Sequence, residues 1–126
     1  MDIMNLKNYF EDRKGLGVLS TADSNGNVNA AVYSRPHFLE EGSLTFIMRD
    51  RLTRHNLASN PNAVFLFVEN GDGYKGKRLY LKKLKEELDP ELVRKIKRRK
   101  YDDGEPKYLA YFSLEKALPL IGADQD

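Results

Sequence analysis

The chain has 126 residues and a formal net charge of +2, from 21 Lys and Arg against 19 Asp and Glu, a balance that does not mark a nucleic-acid protein. The lack of cysteine excludes disulfides, thiolate nucleophiles and thiolate metal sites together, while 40% hydrophobic and 32% charged residues predict a real core under a heavily charged surface. The length fits a single domain, 1–126, and no Ser/Gly/Pro-rich linker divides it.

The first residues mix acid and base and hold no apolar run long enough for a secretory signal or membrane span, so a cytoplasmic location is expected. Asp2 can cap a first helix that turns Ile3, Leu6 and Phe10 inward and ends by Gly15. Leu16 to Ala22 reads as a strand, Asp23-Ser24-Asn25-Gly26 as a tight turn, and Val28 to Arg35 as the returning strand. Pro36 interrupts the ladder. His37-Phe38-Leu39 and Leu44 to Met48 then flank a turn at Glu40-Glu41-Gly42-Ser43.

Leu52 to Ser59 reads as a short helix with Leu52, His55, Asn56 and Ser59 on one face, stopped by Asn60-Pro61. The unbroken apolar run Ala63 to Val68 predicts a central strand covered on both faces. Gly71, Gly73 and Gly76 mark a loop before the alternating strand Lys77 to Lys82. Asp89-Pro90 opens a last helix, with Leu92, Val93 and Ile96 inward. The run from Arg94 to Lys100 reads as its solvated face, given Glu86, Glu87, Asp89 and Glu91 nearby. A strand from about Tyr108 to Leu114 closes the chain.

These elements predict an α+β, mainly β architecture of six to seven antiparallel strands and three short helices. The stretch Leu44-Thr45-Phe46-Ile47-Met48, then Arg51-Leu52-Thr53-Arg54-His55-Asn56-Leu57-Ala58-Ser59-Asn60-Pro61, then an apolar strand, resembles the FMN-binding split-barrel superfamily, which includes the pyridoxamine 5′-phosphate oxidases. The resemblance covers about residues 5 to 114 and implies a split β-barrel, a homodimer with FMN at the subunit interface, and redox chemistry.

Independently of the family, a helix N-terminus with unpaired amides and a positive dipole end suits a dianion. Thr53 adds a hydroxyl, and Arg51 and Arg54 add planar forks for phosphate oxygens. The same residues also suit a plain helix start with solvated charges, and the resemblance favours the phosphate site. Family oxidases place a basic pair where this chain has Leu52 and Thr53, so its arginines are displaced. The resemblance further implies that Val32-Tyr33-Ser34-Arg35 lies along the isoalloxazine ring, and that Lys77, Arg78 and Tyr80 reach a flavin across the dimer seam.

Full oxidases of the family end in an Arg- and Trp-containing segment. This chain has no Trp and ends in Leu118-Pro119-Leu120-Ile121-Gly122 and an acidic tail, so the expectation is a flavin reductase or electron carrier and not pyridoxamine phosphate oxidation. His37 and His55 make no metal motif. Two other readings stay open at this point: a non-enzymatic module whose basic helix contacts nucleic acid or an acidic partner, and a relative that binds haem or deazaflavin.

Overall fold

A computed structural model describes residues 3–39, 43–98 and 103–122. The expected Asp2 cap, the Glu40-Glu41-Gly42 part of the turn, Arg99 and Lys100 of the basic run, and the acidic tail lie outside the described residues. Helix α1 (Ile3–Glu11) precedes strands β1 (Gly15–Ala22), β2 (Val28–Val32), β3 (His37–Phe38) and β4 (Leu44–Met48). Helix α2 (Leu52–Ser59) leads to β5 (Asn62–Glu69) and β6 (Gly76–Glu87), and α3 (Pro90–Ile96) precedes β7 (Tyr108–Pro119). The strands form one antiparallel sheet in the order β2-β1-β5-β6-β7-β4-β3, mainly β with three helices as predicted, and it stays open between its edges.

Local chemistry explains several of these boundaries. Asp23 Oδ1 accepts from the amides of Asn25 and Asn27 at 2.9 Å, and Gly26 takes φ +85°, which closes the β1–β2 hairpin. Asp89 caps α3 by accepting from the Leu92 amide at 3.1 Å. α2 ends at Asn60, held extended before Pro61. Its buried side carries Thr53, Asn56 and Leu57, whereas Leu52 is 57% exposed, so the face differs from the one expected. Asn56 Nδ2 donates to Thr21 Oγ1 at 3.1 Å and fixes α2 against β1.

Four strand expectations are corrected. β2 stops at Val32, not Arg35, while β6 and β7 each run for 12 residues because they pair with each other well beyond the core. Irregular register at Tyr80/Leu81 and Lys83/Lys85 lets this long strand pair coil. β5 lies inside the sheet between β1 and β6, yet it is not covered on both faces: Ala63, Phe65 and Phe67 are buried while Val64, Leu66 and Val68 are half-exposed. Among the described residues, no helix covers that outer face.

The main core lies on the other face. Phe46, Phe65, Phe67 and Phe112 are fully buried with Leu19, Leu79 and Leu81, and α1 plugs the end with Leu6 and Phe10. Each such side chain contributes on the order of 1.5–3 kcal/mol by leaving water. A second cluster, Val93, Leu109 and Tyr111 with Leu39, Ile47, Leu92 and Ile96, docks α3 outside β4 and β7. That docking sets which side of α3 meets the open part of the sheet. Among the described residues, no helix is long and apolar enough to cross a membrane.

Candidate functional site

A cleft of about 890 Å³ opens where the end of β2 faces α3, and its volume lies in the range of roughly 300–1,000 Å³ usual for small-molecule sites. Ala31, Val32, Tyr33 and Ser34 form one wall, and Arg49, Arg51 and Thr53 bring in the turn between β4 and α2. Leu88, Pro90, Val93, Arg94, Lys97 and Arg98 come from α3 and its flanks; His37, Ile47 and the segment Gly104 to Lys107 complete the lining.

Arg51 occupies the N-cap of α2, and no side chain there hydrogen-bonds the first turn. The first amides of a helix have no intrahelical acceptor, so those of Leu52, Thr53 and Arg54 are open to an outside one. Thr53 is 3% exposed, and its Oγ1 accepts from Asn29 Nδ2 at 3.4 Å. Burial raises the Tyr33 phenol above its ordinary pKa against a hydrogen bond from Thr53. The carboxylates that answer the cleft's cations come from the segment before β7. Arg51 Nη2 donates to both Glu105 oxygens at 2.8 and 3.1 Å, while Arg49 and Lys107 meet Asp103 at 2.6 Å each. Lys107, the Glu105 amide and Arg49 together hold the Asp103 carboxyl down to about 2.

His37 stands between cations. Burial, together with the Arg98 and Arg35 charges, pushes its imidazole down to about 4, so it is neutral in the cleft at pH 7. The unfolded chain would titrate this group near 6.5, and between the two values it binds a proton that the fold refuses. His37 therefore lowers stability as pH falls from about 6.5 towards 4 and exerts no such effect above that window. NMR of the imidazole protons should show one histidine titrating near 4, absent from His37→Gln, whose urea stability should fall less steeply through that window. A His37 midpoint near 6.5 would contradict the arrangement.

Of the residues expected at a cofactor site, the structure brings Val32, Tyr33, Ser34, Arg51 and Thr53 to the cleft. Arg54 points elsewhere: it donates to Glu86 Oε2 at 2.6 and 3.0 Å and to Asp50 at 2.9 Å, and stacks 3.7 Å over the Tyr108 ring. Arg35 donates to the Phe10 carbonyl at 2.7 Å, and Leu52 faces solvent. Lys77 lies 4.7 Å over the Tyr9 ring, on the core side of β6, whereas Arg78 stands on the outer face and donates to the carbonyls of Pro119 and Gly122. Tyr80 shares the outer face with Arg78.

Sequence reasoning missed Arg49, Arg94, Lys97, Arg98 and Lys107 as cleft residues. The basic run is divided: Arg94, Lys97 and Arg98 border the cleft, Arg94 and Arg98 still exposed, while Lys95 lies outside it. Only Arg94, next to the buried Val93 on α3, had a signal in helical spacing; Lys97 is the extended C-cap and Arg98 follows the helix, where the carbonyls of Arg35 and Pro36 accept from it.

The strands thus form an open antiparallel barrel with a cationic cleft beside its split. No family model matches the chain, and no curated protein matches it in sequence. Solved structures match along nearly the whole chain. An FMN-binding protein from Syntrophomonas wolfei is 21% identical, with 95% of this chain and 86% of that one covered and a TM-score of 0.75. The HupZ protein of Group A Streptococcus is 16% identical over 98% and 97% of the two chains, with a TM-score of 0.72. A NimC/NimA family protein from Clostridium acetobutylicum is 14% identical over 98% and 88%, with a TM-score of 0.66. The chain therefore has the fold of the FMN-binding split-barrel superfamily.

Proposed function

We propose that this protein binds FMN as one half of a homodimer and serves as a flavin reductase or flavin-bearing electron carrier, not as a pyridoxamine 5′-phosphate oxidase. The observation that carries the reading is the uncapped N-terminus of α2, set with Arg51 and Thr53 inside a large cleft of a flavoprotein fold. Bound there, the isoalloxazine would supply the hydride and electron chemistry. The chain's own part is to bind and orient. The amides of the first turn and Arg51 suit the phosphate, and the backbone from Val32 to Ser34 suits the ring edge. The Arg51–Glu105 pair is exposed on both sides and screened by solvent, so it competes weakly with a dianion at a helix end.

The outer face of the sheet supports the homodimer. Val28, Val32 and Leu16 are 83%, 74% and 53% exposed, and register places Val32, Val18, Leu66 and Arg78 in one row across it. Val32 also lines the cleft, so a second copy seated on this face would flank the flavin and bring its own Arg78 close. Purified protein mixed with FMN and desalted should keep a flavin absorption band and run as a dimer in light-scattering chromatography. A colourless eluate removes the flavin reading, and one that keeps added haem or a deazaflavin instead assigns the cleft to that ligand. A monomer removes the shared site.

A further inference from the structure

We infer that Asn70 is a site of spontaneous covalent modification, losing its side-chain amide to become aspartate and isoaspartate, while the fold protects Asn25, which stands in the same local sequence. The chain holds two Asn-Gly pairs, Asn25-Gly26 and Asn70-Gly71. Both are exposed, and each sits between two paired antiparallel strands. Asparagine is a chemically labile residue, and a following glycine puts no side chain in the way of the next amide nitrogen as it approaches the asparagine Cγ. The two pairs differ in how that nitrogen is held.

At Asn25 the nitrogen is engaged. The Gly26 N–H donates to the Asp23 carbonyl at 3.1 Å, and the Asp23 carboxylate accepts from the amides of Asn25 and Asn27 at 2.9 Å and from Asn27 Nδ2 at 3.0 Å. Attack there requires the turn to open. The Asn70 side chain and the Gly71 N–H, by contrast, have no hydrogen-bond partner among the described residues. The bond from Glu69 N–H to the Lys75 carbonyl, at 2.8 Å, closes the β5–β6 hairpin below them, and Gly71 has open space around it at φ +108°.

The Gly71 nitrogen attacks Asn70 Cγ, the new N–Cγ bond closes a cyclic imide, and Nδ2 leaves as ammonia with the proton that the Gly71 amide gives up. Water then opens the ring. Opening at Cγ leaves aspartate, and opening at the main-chain carbonyl leaves isoaspartate, whose backbone is longer by a methylene; water is taken up, ammonia is released, and nothing is oxidised or reduced. The change falls at a joint of the fold. Asn70 N–H donates to the Lys14 carbonyl at 2.9 Å, and Glu69 beside it accepts from the Tyr9 hydroxyl at 2.5 Å and from Arg13 at 3.3 Å, so this end of the hairpin holds α1 and the segment after it.

Purified protein held at mildly alkaline pH, native and in guanidinium chloride, tests this when both Asn-Gly peptides, released at acid pH, are followed by mass mapping for the gain of an amide-to-acid exchange. In the native protein Asn70 should convert at least about tenfold faster than Asn25, because opening the Asp23 turn breaks more than one hydrogen bond. In denaturant the two should convert at similar rates, since only the shared local sequence remains. Asp23→Ala, which removes the side-chain acceptor of that turn, should speed Asn25 in the native protein and leave Asn70 unchanged. Equal native rates at the two sites, or an Asn70 that converts only in denaturant, overturns the assignment. An Asn25 that stays slow in denaturant, or in native Asp23→Ala, overturns the protective role of the turn.

Discussion

Arg51→Ala is expected to weaken FMN by roughly ten- to a hundredfold while leaving riboflavin within about twofold, and Arg54→Ala is expected to leave both unchanged. The two side chains start three residues apart and end in different places. Arg51 lines the cleft at the open end of α2, where the exposed Glu105 carboxylate and the Asp50 carbonyl accept from it. Arg54 is committed to Glu86, Asp50 and the Tyr108 ring, and it ties α2 to β6 and β7. Burial raises the Glu86 carboxyl, but Arg54 and Lys83 outweigh that and hold it below its ordinary value. Removing Arg54 leaves Glu86 with Lys83 alone, so the loss should appear as about 1–2 kcal/mol of stability in urea unfolding. Flavin fluorescence titration reads the first effect. If Arg54→Ala were instead the variant that lost FMN, the phosphate would belong on the other side of α2.

Gly17→Ala is expected to damage both the fold and the cleft. A Cβ on Gly17 would lie 2.4 Å from the Tyr33 carbonyl oxygen and 2.6 Å from Phe65 Cζ. Neither neighbour can yield cheaply. The Tyr33 amide donates to Gly17 O at 3.0 Å, so the two backbones are already hydrogen-bonded, and Phe65 is fully buried with its ring 5.0 Å from that of Phe46. Overpacking of this kind costs about 1–3 kcal/mol or more, and relief means moving Tyr33 away from β1. Tyr33 and Ser34 form the cleft wall, so FMN binding should fall with stability. Gly26→Ala serves as the contrast: nothing lies within 4 Å, φ is +85°, and its cost should be confined to local backbone strain with FMN binding unchanged. A Gly17→Ala protein of wild-type stability would contradict the close approach of β1 to Tyr33.

The bounds of α2 were legible because Asn60-Pro61 terminates a helix by local sterics, and the β1–β2 hairpin because Asp23 and Gly26 carry turn chemistry in themselves. The end of β2 was not, since it depends on how far β1 remains beside it. Nor were the 12-residue lengths of β6 and β7, whose outer parts are held by each other. The apolar run of β5 is the same whether its second face meets a helix, a second copy or water, so composition could not tell which.

By itself, the sequence determined the class of architecture, the order of elements and the turn that opens α2, because periodicity, turn residues and helix ends act over a few neighbouring positions. Only the tertiary structure decided that Arg51 enters the cleft and Arg54 does not, and that Arg94 borders the cleft on the flank of the helix side that buries Val93. A helix turns about 100° per residue, and which side it presents is fixed by what it packs against: Asn56 on Thr21 for α2, Val93 on Leu109 and Tyr111 for α3.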